Sequence, residues 1–375
     1  MKDLIALRHK LHQEAELSGK EQRTNEIINH YISATSPDVH ISKIGGYGVA
    51  ALYKGKGSGP RLLIRADIDA LPIGEGETCG HGSYHDGISH KCGHDGHATI
   101  LCGLASLLST HRPERGEVVL LFQPAEETGQ GAKAVMADPL FADITPDYAI
   151  AIHNLPGFRK HQLVTRRGCF AAASFGLRLV FDGATAHASQ PETGRNPSEL
   201  LAILLHQLEK KRELLPQLQP FTTFTITHAS LGEPSFGISP GHAEIWLTLR
   251  SYSDKNLELL TQQLIHLCQR KASDYLLDFS FSMHEAFPAT TNDDKLVDLI
   301  ESCGIELGMP CARLKEPFRW SEDFGRYSLS CPIALFGIGA GLEQPPLHDK
   351  DYDFPDDIIE TSVTLLGLIV HKLLK

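Results

Sequence analysis

Short, nearly continuous apolar runs, separated by stretches of helical periodicity, constrain this chain most. V-A-A-L-Y (49–53), R-L-L-I-R-A-D (61–67), E-V-V-L-L-F-Q-P (117–124) and D-Y-A-I-A-I-H-N (147–154) each end at a polar or turn residue. Runs of this length suit strands buried on both faces of an α/β sheet. Between them, residues 97–111 and 131–138 read as helices. Residues 3–34 place Leu4, Leu7, Leu11, Ile27, Ile28 and Tyr31 at helical spacing, with Gly19 as an interruption.

Near Ala173 the texture changes. Residues 175–183, 221–229 and 243–252 alternate apolar and polar side chains, residues 277–283 read as a fourth strand, and helices over 197–208 and 256–271 intervene. That pattern describes a small sheet with one helical face, an α+β unit. Beyond Glu285 the first texture returns, with a helix at 295–304, a strand at 332–341 and a closing amphipathic helix. The expected architecture is α/β: a discontinuous domain (1–172 and 286–375) with a mixed, largely parallel sheet flanked by helices, interrupted by an inserted α+β domain (173–285).

Thirty-five Lys and Arg against 46 Asp and Glu give a net charge of -11, a poor footprint for nucleic acid or an anionic membrane. No apolar stretch approaches the roughly 18 residues that span a bilayer. The opening stretch lacks the apolar core and small-residue cleavage site of a secretory signal. The expectation is a cytoplasmic protein with neither nucleic-acid nor membrane partners. The eight cysteines contain no C-x-x-C pair and read as reduced thiols, most of them buried small hydrophobes, with Cys92 set apart.

Position singles out a few polar residues. In an open α/β sheet, ligands collect beyond the carboxyl ends of the strands. Glu126 and Glu127 follow one apolar run, His153 ends another, and His348 lies in a loop after the strand ending near Gly339. Cys92 and His94 flank Gly93 just before a helix. Each has a bland reading: a C-x-H pair is as often structural, an E-E doublet is usually a solvated helix end, and His153 or His348 alone is a core or loop histidine. The repetition at separate strand ends favours a metal centre, with ligands to hold ions and one carboxylate left to move protons.

C-G-H-D-G-H, Q-P-A-E-E-T-G-Q-G-A, I-H-N-L-P-G, A-H-A-S, S-E-D-F-G and L-H-D-K-D-Y-D-F occur in that order. Together with L-H-Q-E-A-E-L-S and R-A-D-I-D-A-L-P-I, they make the chain resemble, nearly end to end, the dinuclear metallopeptidase superfamily of aminoacylase and carboxypeptidase G. Within it, the chain resembles the amidohydrolase branch of hippurate hydrolase, N-acetyl-diaminopimelate deacetylase and indoleacetyl-amino-acid hydrolase. The resemblance implies metal ligands Cys92, His94, Glu127, His153 and His348, with Glu126 as catalytic base. Cys92 would bridge two divalent ions, His94 and His153 completing one, Glu127 and His348 the other. It implies that the inserted domain is a lid and dimerisation domain. His187 would then be an oxyanion donor presented across a homodimer interface, where the bland reading is an exposed turn histidine.

Two departures stand out. Arg65-Ala66-Asp67 occupies the place of a usual H-x-D, so one histidine ligand is missing, and Cys92 replaces a bridging aspartate. Zinc suits the mixed ligands, with manganese or cobalt as alternatives. Asp67, Asp95 and His97 read either as groups orienting the ligands or as capping and packing residues. Arg195, Arg250 and Arg319 are candidates to anchor a substrate carboxylate, and Ser321, Glu322 and Asp323 fall in a motif without a derivable role. The resemblance thus points to a metal-dependent amidohydrolase of N-acyl amino acids. A dipeptidase or carboxypeptidase with the same centre, or a catalytically silent metal-binding dimer, stands as the alternative.

Overall fold

A computed structural model describes residues 1–76, 79–214 and 220–375, with the backbone alone at 214. The chain forms two compact units, one of Met1–Phe170, Thr290–Pro317 and Glu322–Lys375, the other of Ala171–Ala289 and Phe318–Ser321.

The larger unit opens with α1 (Lys2–Gln13) and α2 (Gln22–Ser33), parted by a turn in which Gly19 takes a positive φ of 77°. There follow β1 (Val39–Ile44), β2 (Gly48–Lys54), β3 (Gly57–Asp67), α3 (His94–Thr110), β4 (Arg115–Gln123), the short α4 (Gly131–Ala137) and α5 (Phe141–Ile144), β5 (Tyr148–Pro156), β6 (Leu163–Thr165) and β7 (Gly168–Ala171). The smaller unit contributes β8 (Ala173–Asp182), β9 (Ala186–His187), α6 (Ser198–Leu214), β10 (Thr222–Leu231), β11 (Ile238–Ser239), β12 (His242–Ser251), α7 (Asp254–Asp274) and β13 (Asp278–Phe287). The chain then returns to the larger unit with β14 (Thr290–Asn292), α8 (Asp294–Glu306), β15 (Cys311–Arg313), β16 (Ile333–Gly341) and α9 (Ile358–Leu373).

The main sheet runs β1-β2-β4-β3-β5-β16-β6-β15. Its centre, from β4 through β3 and β5 to β16, is parallel, while β2 pairs antiparallel with both β1 and β4, and β16 pairs antiparallel with β6. The sheet is therefore mixed and mostly parallel, as its apolar runs imply. Along β3, Leu62, Ile64 and Ala66 share a core with Leu101, Leu104 and Leu108 of α3 and with Leu365, Leu366 and Ile369 of α9. Leu63 points to the other side and is equally buried. Covering both faces is what makes such strands apolar throughout. Helix α3 lies deepest, with His94 through Ala105 all buried, so the polar residues in its first turn are committed to the interior.

In the smaller unit, the antiparallel sheet β10-β12-β8-β13 has α6 packed on β10 and β12, and α7 on β8, β12 and β13. Ile245, Leu247 and Leu249 are buried while Trp246 between them is exposed, the period of two that a one-sided sheet demands. No helix among the described residues is long and apolar enough to cross a membrane.

Candidate metal centre

Backbone geometry explains why the chemistry gathers where it does. Gly93 precedes α3 with φ 88°, a left-handed conformation natural to glycine, and a Cβ there would meet the Asn154 side chain at 2.6 Å. That turn sends Cys92 and His94, on either side of it, into the interior. Past the end of β4, Ala125 takes φ 53°, an uncommon choice for a residue with a Cβ, and the chain closes on itself through Gly131 N donating to Ala125 O at 2.9 Å. Glu126 and Glu127 follow in that turn. His348 also has a left-handed backbone (φ 67°), and its N–H donates to Lys91 O at 2.8 Å. Strain of this kind persists where the surroundings over-determine the backbone, often at functional sites.

The side chains converge. Cys92, Glu127 and His348 present ligand atoms within 4.8 Å of one another, as do His94, Glu126 and Glu127, and as do Asp67, His94, His97 and His153. Cys92 Sγ lies 3.6 Å from His153 Nε2, while Glu127 Oε1 lies 3.7 Å from both His94 Nε2 and His348 Nε2. Two ligand atoms bonded at about 2.0–2.3 Å to one tetrahedral ion sit about 3.3–3.8 Å apart, so the spacings are those of a metal cage. The two 3.7 Å distances between nitrogen and oxygen are too long for hydrogen bonds, while 3.6 Å between Cys92 Sγ and His153 Nε2 is within the reach of a thiol. His94 Nε2 and Glu127 Oε1 are buried and have no hydrogen-bond partner among the described residues. Orphaned polar atoms inside a protein are costly unless something else satisfies them, and a cation facing both does so.

Their other ends are fixed. His94 Nδ1 is 2.9 Å from Asp69 O, and His153 Nδ1 is 2.8 Å from Asn154 O, which leaves each Nε2 facing the cluster. Glu127 N–H donates to Asp69 Oδ2 at 3.0 Å. Asp67 Oδ1 lies 2.5 Å from His97 Nδ1, and His97 Nε2 pairs with Asn154 Oδ1. Asp95 faces away, toward Arg8 and His12 on α1.

The electrostatics call for positive charge. Burial, then the Glu322 and Glu127 carboxylates, push Glu126 well above the ordinary carboxyl range. Burial pushes Glu127 up to about 8 against the opposing pull of His94. Burial and Glu127 raise the Cys92 thiol. Burial, with His97, lowers His153 to about 3, leaving the neutral imidazole that a metal requires.

In sequence Arg65 marks only the absence of a histidine; the structure gives it a role of its own. Fully buried, its Nη1 donates to Asp67 Oδ2 at 2.7 Å, and its Nη2 to Glu322 Oε1 and Asp323 Oδ1, each at 2.8 Å. Glu322 and Asp323 in turn lie within 4.8 Å of Glu126. The S-E-D motif, opaque in sequence, thereby joins the wall beside Glu126. Its first residue parts company: Ser321 belongs to the smaller unit, where its Oγ lies 3.1 Å from Arg250 Nη1. A charged residue in the middle of an apolar strand was the available signal for Arg65.

His187 also lies in the smaller unit, exposed on β9, which pairs with β11, and its Nδ1 is 2.7 Å from Ser189 Oγ. Of the other arginines there, Arg195 donates to Leu276 O at 3.1 Å and Arg319 stacks 4.7 Å over the Phe221 ring.

Comparison with known proteins bears on this geometry. The model of peptidase family M20/M25/M40 matches residues 63–372. The chain belongs to that family. Hippurate hydrolase of Campylobacter jejuni is 28% identical, the alignment covering 98% of this chain and 96% of the relative. N-acetyl-L-cysteine deacetylase of Bacillus subtilis is 29% identical over 99% of this chain and 87% of its own. Among solved structures, the Bacillus subtilis YXEP protein, described as a dinuclear metal-binding peptidase of the M20 family, superposes with a TM-score of 0.84 at 23% identity, covering 100% of this chain and 98% of that one. This last likeness establishes the shared mixed α/β fold.

Proposed function

We propose that this M20-family protein is a metal-dependent amidohydrolase that cleaves the amide bond of N-acyl amino acids, releasing a carboxylic acid and an amino acid. The observation that carries the reading is the pair of buried ligand atoms without a hydrogen-bond partner among the described residues, His94 Nε2 and Glu127 Oε1, at metal-cage spacing beside a second carboxylate, Glu126. The names of the relatives, a hippurate hydrolase and an N-acetylcysteine deacetylase, support small N-acyl amino acids as the substrate class.

In this reading Cys92, His94, Glu127, His153 and His348 would hold two divalent ions, zinc or manganese, with cobalt as an alternative. Cys92 would be shared between two sets of ligands, His94 and His153 completing one and Glu127 and His348 the other. The chemistry such ions supply when bound is Lewis acidity, which lowers the pKa of water and polarises a carbonyl. Glu126 takes the proton of the attacking water and returns it to the departing amine nitrogen as the C–N bond breaks. His187 donates a hydrogen bond to the developing oxyanion from a second copy of the chain, the smaller unit serving as lid and dimerisation domain in a cytoplasmic homodimer.

The test is hydrolysis of N-acetyl and N-benzoyl amino acids, against dipeptides, by metal-stripped enzyme reloaded with zinc, manganese or cobalt. Glu126→Gln should retain its metal content while turnover falls by roughly 10²–10⁴-fold. No hydrolysis of any N-acyl amino acid with any of the three metals rejects the proposal, and undiminished turnover in Glu126→Gln rejects the assigned base.

A further inference from the structure

Away from the centre described above, the larger unit assembles a second group of soft and borderline ligands. His12 on α1, Cys79 and His81 from the segment before α3, and Asp353 from the segment before α9 place one ligand atom each within 4.8 Å of all the others. Cys79 Sγ lies 3.9 Å from His12 Nε2, and His81 Nε2 lies 3.3 Å from Asp353 Oδ1. These distances bracket the roughly 3.3–3.8 Å expected between neighbouring ligands of a tetrahedral ion. The geometry points to a third divalent-cation site of the zinc class, built from His12, Cys79, His81 and Asp353 and distinct from the catalytic pair.

Orientation supports the assignment. The buried Asp95 carboxylate lies 2.8 Å from His12 Nδ1, the carboxylate–histidine arrangement that positions metal-binding imidazoles, and Nε2 lies 3.1 Å from Glu75 Oε2 and 3.9 Å from Cys79 Sγ, so a cation would displace the Glu75 contact. His81 stacks against His9 with ring centroids 3.8 Å apart, which holds its ring in place. Beside them His90 is fully buried, its ring centroid 6.0 Å from that of His12, with neither nitrogen hydrogen-bonded among the described residues. Four carboxylates, Glu75, Asp95, Asp353 and Asp356, surround the group, against Arg8, Lys91 and the His12 imidazolium, which against the cost of burial Asp95 raises to about 11.

Arg8 sets the strength of the site. Its Nη2 lies 2.7 Å from His81 Nε2 and its Nη1 2.8 Å from Asp353 Oδ1, so the guanidinium holds two acceptors that a cation would take. Nη1 also reaches Asp95 Oδ2 at 3.1 Å, a partner it keeps when it yields the other two. Binding therefore displaces the guanidinium from His81 and Asp353 and releases two protons, one from the Cys79 thiol and one from the His12 imidazolium, which makes the site weaker and more readily stripped than the catalytic centre. Its consequence is mechanical. The segments it ties together are those that lead into Cys92 and carry His348, already linked by Gly76 N donating to Lys350 O at 3.0 Å and His348 N donating to Lys91 O at 2.8 Å. A cation there clamps the two loops that present catalytic ligands.

The test needs no substrate and does not depend on the proposed reaction. Wild type, Cys79→Ser and His81→Ala, each first loaded at the catalytic centre, are titrated with cobalt and analysed for metal per chain. Wild type should take up one more cobalt than either variant, with a thiolate-to-cobalt absorption missing from Cys79→Ser. In wild type alone, zinc should slow alkylation of Cys79, mapped by mass spectrometry, by about tenfold or more, because a coordinated thiolate is a poor nucleophile. Equal cobalt content in folded wild type and variants, or Cys79 alkylated at the same rate with and without zinc, overturns the site.

Discussion

Replacing Arg65 by methionine tests whether the buried guanidinium organises the wall of the centre. The side chain is 1% exposed and makes four polar contacts: Asp67 Oδ2 at 2.7 Å, Glu322 Oε1 and Asp323 Oδ1 at 2.8 Å, and Gln123 Oε1 at 3.1 Å. Methionine fills much of the volume and removes the charge, leaving three buried carboxylates to face one another. Breaking a buried ion pair from one side costs about 3–5 kcal/mol, and the three contacts share one desolvation cost, so their losses do not add. With an unfolding entropy of about 2.1 cal/mol/K per residue over 375 residues, that cost lowers the melting temperature by about 4–6 °C. Asp67 also orients His97 and lies 3.6 Å from His94 Nε2, so metal affinity should fall about 10–100-fold. Arg65→Lys keeps the charge but not the planar fork and should fall between. Calorimetry of the metal-loaded proteins and competition with a chelator read both quantities. An Arg65→Met protein melting within about 1 °C of wild type, with unchanged metal affinity, would refute the reasoning.

Gly93→Ala should destabilise by about 1–2 kcal/mol from its left-handed φ alone, and the new methyl would push Asn154 off Tyr352 and His97. Displacing Cys92 or His94 by about 1 Å should cost about 10²-fold in turnover, and full activity in a folded Gly93→Ala protein would show that the turn does not set ligand position. In the smaller unit, the hydrogen bond from Arg178, followed by those from Trp246 and His242, holds Glu244 at about 2, below its ordinary 4.5. A depressed carboxyl stabilises the fold above its unfolded pKa and loses that contribution as pH falls through the folded one. The stability gap between wild type and Glu244→Gln should therefore be complete near neutral pH and close between pH 4.5 and 2. Melting curves across that range check it, and a gap independent of pH would contradict the assignment.

The parts of the fold legible in sequence are those where one physical requirement acts along the chain. Leu62–Ile64 and Val118–Phe122 had to be apolar because both faces of the central strands are covered, and that need leaves a continuous run. The alternation over Ile245–Leu249 follows from a sheet covered on one face, and the residues closing the central strands could be singled out because the ends of such strands are where a parallel sheet opens. Roles created by topology left no such trace. Arg65 and Glu322 are 257 residues apart, and nothing near either position states that one neutralises the other. Cys79 is a parallel case: a scattered cysteine reads as inert until folding sets it 3.9 Å from His12 Nε2, itself turned by Asp95. Asp95 adjoins His94, so neighbouring residues on one helix serve two different clusters, His94 facing the sheet ends and Asp95 facing α1. Helix α3 is buried on every side from His94 to Ala105, and each polar residue in its first turn must find a partner in its own direction, which is why a single C-G-H-D segment connects both clusters.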